Sequence, residues 1–77
     1  MTLNRAFVVR LCRLTRNKIS MERLVKESGL SKLAMKHLLD GNFSDVRLSS
    51  IVKVSKVLKM SLSEFFDDEI FNLDEIE

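Results

Sequence analysis

The chain has two glycines and no proline, and both glycines stand in the same local frame. Ser20 opens a segment whose inward residues are Leu24 and Val25 and which stops at Gly29. Ser31 opens a second segment, with Met35 and Leu38 spaced for one buried face, which stops at Gly41. A serine at a helix start accepts a hydrogen bond from an otherwise unpaired amide. A glycine just past a helix end takes up the left-handed backbone that a Cβ resists. The frame therefore predicts two short helices, 21–28 and 32–40, joined by a turn so tight that their crossing angle is constrained.

The flanks extend this pattern. Segment 4–16 places Phe7, Leu11 and Leu14 at helical spacing, with Leu3 and Ala6 a turn earlier and Asn4 or Thr2 as the cap. Arg5, Arg10, Arg13 and Arg16 lie off that stripe and read as its solvated face, while Cys12 reads as a small core residue. Residues 42–46 form a polar loop with one aromatic, Phe43. A helix over 47–58 is expected to turn Leu48, Ile51, Val52, Ser55 and Leu58 inward, and Val54 in part. Ser61-Leu62-Ser63-Glu64 has the form of a capping box and opens a last short helix holding Phe65 and Phe66. The expected fold is all-α: a compact five-helix domain over 1–66, followed by an acidic amphipathic tail over 67–77.

Composition excludes several classes. One cysteine permits no intrachain disulfide, and one cysteine with one histidine, His37, supplies no ligand set for zinc, so neither metal nor cofactor is expected. No apolar run approaches the ~20 residues that cross a bilayer. Arg5, Arg10 and Arg13 interrupt the apolar residues where a signal peptide would need a continuous core. The expectation is a cytoplasmic protein with no membrane partner. Enzymatic readings lack support: no second histidine serves as a base for the serines, no glycine-rich loop cradles a phosphate, and the acids gather at one end.

The elements at 20–41 appear in the order a helix-turn-helix requires: Leu24, Val25, Gly29, Leu30, Met35 and Leu38 fasten two helices, and the outer face of the second remains free for a major groove. With Ser20-Met-Glu-Arg-Leu24, Gly29-Leu-Ser31, Gly41, Leu48–Leu58 and Ser61–Phe66 in sequence, residues 7–66 resemble the Cro/repressor-type (Xre) helix-turn-helix family. The resemblance implies a lambda-repressor-like fold and a transcriptional regulator, a repressor that binds double-stranded DNA as a homodimer on a two-fold operator. It puts base contacts at Lys32, Leu33, Lys36 and His37, and backbone contacts at Ser20, Ser31, Asn42, Ser44 and Arg47. Lysine and histidine can donate to guanine or phosphate, and leucine can meet a thymine methyl.

The chain departs from that family in four places. Met21 stands where glutamine is usual, and Val25 where alanine is. Leu39 replaces an acid that commonly pairs with an arginine of the first helix, which leaves Arg13 without that partner. Lys59 replaces a helix-ending glycine, at a cost of ~1 kcal/mol if it is held left-handed.

Net charge is +2, but the average conceals a division. Residues 1–60 hold all 13 bases against four acids (Glu22, Glu27, Asp40, Asp45), a net of +9; residues 61–77 hold seven acids and no base, a net of −7. A basic body suits an anionic partner. The alternative reading is an antitoxin or protein-interaction module of the same fold with weak or no DNA reading, motivated by Met21, by Leu39 and by the tail residues Ile70, Phe71, Leu73 and Ile76, which would need a protein partner. A further expectation is that the tail folds over the basic face or pairs with itself.

Overall fold

The structure, a computed structural model, describes residues 1–77: five α-helices and no strand. The helices are α1 (Leu3–Thr15), α2 (Met21–Ser28), α3 (Lys32–Asp40), α4 (Leu48–Val57) and α5 (Leu62–Phe66), and a single 3-10 turn, Glu69–Phe71, follows them. Of the expected caps for α1 it is Thr2 that serves, its side chain accepting from the Arg5 amide. Ser20, Ser31 and Ser61 cap α2, α3 and α5 in the same manner, and Ser61 with Glu64 completes the capping box. Gly29 (φ 78°) and Gly41 (φ 80°) end α2 and α3 in the left-handed conformation. Lys59 adopts it as well (φ 57°), as does Asn17 in the α1–α2 connection (φ 58°).

The core sits where α1 crosses α3 and where α4 closes on α2 and α5. Phe7, Leu11, Leu24, Met35, Val54 and Phe65 are fully buried there. All five phenylalanines join in one chain of contacts. Phe43 meets the edge of Phe7 with centroids 6.1 Å apart, Phe7 lies 5.8 Å from Phe65, and Phe66 meets Phe71 at 5.0 Å. Aromatic pairs favour such tilted and edge-on arrangements, and this chain fastens the 42–46 loop and the acidic tail to one core.

Several expectations change: Leu3, placed on the apolar stripe, is exposed, and Val54, expected inward in part, is fully buried. Leu48, expected inward, is widely exposed, because α4 begins at that residue and its first turn points to solvent. Arg10 is not part of a solvated face. Its guanidinium donates to the carbonyls of Phe65 (2.8 Å) and Glu64 (2.9 Å) and pairs with Asp68 (3.3 Å). A short helix leaves last carbonyls without partners inside it, and Arg10 supplies a donor to that of Phe65 from 55 residues away. Cys12 is only half-buried, its thiol donating to the Leu39 carbonyl at 3.7 Å.

The tail follows α1 rather than α2 or α3. Phe71 packs on Phe65 and Phe66, the Met1 amino group donates to the Glu75 carbonyl (3.1 Å), and the Glu77 amide donates to the Met1 carbonyl (2.9 Å). Ile70, Phe71 and Ile76 are half-buried in this way, and Leu73 alone of the four is widely exposed.

Candidate nucleic-acid interface

Two glycine-terminated helices present the candidate surface. In α3, Met35 and Leu38 enter the core, so the residues at i, i+1, i+4 and i+5 along the opposite face turn outward. These are Lys32, Leu33, Lys36 and His37. Lys32, Leu33 and Lys36 are exposed, His37 is half-exposed, and Leu33 keeps 62% of its surface. Neither lysine has an ion-pair partner. Two lysines one turn apart on a helix raise a positive potential that no acid of the fold takes up. Asp40 shares this face at its far end, where its carboxylate accepts from the Asn42 amide (2.9 Å).

The helix starts are prepared for anions. Ser31 accepts from the Ala34 amide (3.0 Å), which leaves the Lys32 and Leu33 amides without an acceptor inside α3. Ser20 accepts from the Arg23 amide (3.1 Å) and leaves those of Met21 and Glu22. Both serines have used an oxygen as acceptor, so each O–H remains free to donate. Lys32 shares a shallow cleft with Met21, Glu22, Val25 and Lys26, which links the start of α3 to the outer face of α2. On the same helix Arg23 clasps Glu27 (2.6 Å), which holds the Glu27 carboxyl below the usual carboxylate range.

At the other end of α3, His37, Asn42 and Arg47 line one groove, together with Leu30, Ala34 and Ser50. Ser44 lies outside that groove, on the exposed crest of the same loop, where its carbonyl accepts from the Asn4 side chain (2.7 Å) and ties the loop to α1. Sequence reasoning named Arg47 but missed the open amides at the start of α4. Arg47 is its N-cap and makes no side-chain cap bond, so the Leu48 and Ser49 amides that follow it stay open. The signal was present as an absence: no Ser, Thr, Asp or Asn occupies position 47, unlike positions 2, 20, 31 and 61. Unpaired amides at a helix start, beside an arginine, form a seat for a phosphate.

Two capped helices joined at Gly29, with an unpaired basic outer face on the second, define a helix-turn-helix of the kind that enters a DNA groove. A model of the Cro/C1-type HTH DNA-binding domain matches residues 9–69, most of the chain, and the chain belongs to that family. It is thus a DNA-binding domain of the transcription-regulator class. No curated protein and no solved structure matches it. No helix of the fold is long and apolar enough to cross a membrane.

Proposed function

We infer that the chain is a sequence-specific regulator of transcription, a repressor in the cytoplasm that binds double-stranded DNA as a homodimer and carries out no catalysis. One observation supports this above the rest: α3 is fixed by buried Met35 and Leu38, while Lys32, Leu33, Lys36 and His37 form its outer face and neither lysine is paired. In this reading α3 lies in the major groove and those four side chains meet base edges. Ser20, Ser31, Asn42, Ser44 and Arg47 hold the phosphates on either side, and the unfilled amides of α2, α3 and α4 assist them. A second copy reads the next half-site, about one helical turn (~34–36 Å) away.

The test is unbiased selection of bound DNA sequences, followed by titration of the selected site against salt. Lys32→Ala and His37→Ala should each alter which sequences are preferred. Arg47→Ala should weaken all sequences alike and lower the salt slope by about one. A chain that prefers no sequence over bulk DNA at moderate salt defeats the reading. In that event the exposed Leu33 at the middle of the α3 face favours the second reading, a protein-interaction module of the same fold.

A further inference from the structure

The flank of α1 away from the tail carries an open groove of about 630 Å³ between α1 and the end of α3. Val9, Cys12 and Leu39 supply its apolar lining, and Arg5, Arg13 and Arg16 its charge, against a single acid, Asp40. All three arginines are exposed and none is in an ion pair. Three desolvation-tolerant guanidiniums around an apolar lining suit an occupant that is acidic and apolar at once. The groove touches the α3 face only at Asp40, contains none of Lys32, Leu33, Lys36 and His37, and shares no side chain with the His37–Asn42–Arg47 groove.

The chain itself carries such an occupant. Residues 72–75 form a turn in which the Asn72 side chain accepts from the Asp74 amide (3.0 Å) and its carbonyl from the Glu75 amide (3.0 Å). That turn holds out Leu73, 83% exposed and the most exposed large apolar side chain of the fold, with exposed Asp74 and Glu75 beside it. The tail's internal ion pairs use only Asp68, with Arg10, and Glu77, with the Met1 amino group, so Asp74 and Glu75 remain uncompensated. Arg10 of α1 meets Asp68 of the tail, Cys12 of α1 meets Leu39 beside the groove, and no residue of 61–77 lines the groove. A chain's own turn therefore does not fill its own groove.

We propose that the α1–α3 groove receives the Leu73 turn of a second copy of this chain. Leu73 enters between Val9, Cys12 and Leu39, and Asp74 and Glu75 face Arg5, Arg13 and Arg16. This rests on the homodimer reading above and names the surface that joins the copies. The α3 face stays free for DNA in each copy.

The experiment measures self-association of the full chain without DNA, by sedimentation equilibrium over a series of salt concentrations. One variant reverses the groove (Arg13→Glu with Arg16→Glu), and a second reverses the turn (Asp74→Arg with Glu75→Arg). The wild type should associate, more weakly at high salt. Each variant alone, now with like charges at both surfaces, should associate about tenfold or more weakly. An equimolar mixture of the two, in which acidic grooves meet basic turns, should recover association. Leu73→Ser should weaken association while helical content is unchanged, because its side chain lies outside the core. A wild type that stays monomeric at low salt, variants that associate as the wild type does, or a mixture that fails to recover overturns the proposal. DNA preference is read separately, so its absence defeats the DNA reading while these outcomes still decide the groove.

Discussion

Residues 20–41 and residues 62–77 are both built from short helices, yet they treat their polar groups in opposite ways. Between 20 and 41 the serines and glycines close the helix ends, and the side chains of Lys32 and Lys36 are left without partners. Between 62 and 77 Glu64, Asp68 and Asn72 are used internally, while Asp74 and Glu75 stay unpaired. Glu64 completes a capping box, Asp68 both accepts from the Ile70 amide and pairs with Arg10, and Asn72 shapes the last turn. The first region is a short rigid frame that leaves its charge for a ligand. The second is a clasp that needs α1 to be complete. Rigidity obtained from local caps leaves a face unspent, whereas rigidity obtained from distant partners consumes it.

Four tests break or sharpen that contrast, in falling order of effect. Phe65→Ala removes the ring that joins Phe7 to Phe66 and Phe71, and should destabilise the chain by about 3–5 kcal/mol in denaturant titration. An equally buried position in the other region, Leu24, should lose about 2–5 kcal/mol, so this first comparison tests whether the clasp belongs to the same cooperative unit as the frame.

Arg10→Ala leaves the Phe65 carbonyl without its donor and takes one of two donors from the Glu64 carbonyl and from the Asp68 carboxylate, and should cost about 2 kcal/mol. Amide exchange should then quicken in 62–77 before it does in 20–41.

Lys59→Gly moves in the opposite direction. The backbone there is left-handed without glycine's freedom, so stability should rise by about 1 kcal/mol in thermal melts. Gly29→Ala should lose a similar amount through backbone strain alone, since a Cβ at Gly29 meets no atom within 4 Å.

The smallest effect concerns acid. The Ser61 amide donates to Glu64 and, with the Ser61 hydroxyl, holds that carboxyl below its usual range. A carboxyl lowered on folding contributes stability above its unfolded pKa and loses it as pH falls through the folded value. Glu64→Gln should therefore flatten the decline of melting temperature between about pH 5 and about pH 3.

Much of the frame was legible before any coordinates, and the reasons are local. Ser20, Gly29, Ser31 and Gly41 each act on their own backbone within a few residues, so a linear reading finds them. The same holds for the Ser61–Glu64 box, whereas the left-handed Lys59 was expected only from the glycine that the family resemblance puts there. Helix limits shifted by only a residue at α1 and α4, where an apolar pattern does not say which turn carries the last hydrogen bond. The clasp was not legible, because the role of Arg10 depends on carbonyls that only the folded chain brings near. On a helical wheel it looks like its neighbours Arg13 and Arg16. Phe43 and Phe71 escaped for the same reason: each lies outside a periodic segment, and each is placed by contact with another ring. Leu48 was misread because a helix's first turn can extend past the surface it packs against. For the candidate site, the set Lys32, Leu33, Lys36 and His37 came from the family resemblance, and the open amides of α4 followed only once the cap at Arg47 was known.

The bonds from Arg10 to the far end of the chain also bear on how the protein is made. Its bond to the Phe65 carbonyl spans 55 residues. At a synthesis rate of ~5–20 residues per second, roughly 3–11 s separate the appearance of Arg10 from that of its partner. A helix forms in about a microsecond. For that interval Arg10 lacks its partners and Phe7 lacks the Phe65 ring, so the burial of α1 is completed only once residues 65–71 have been made.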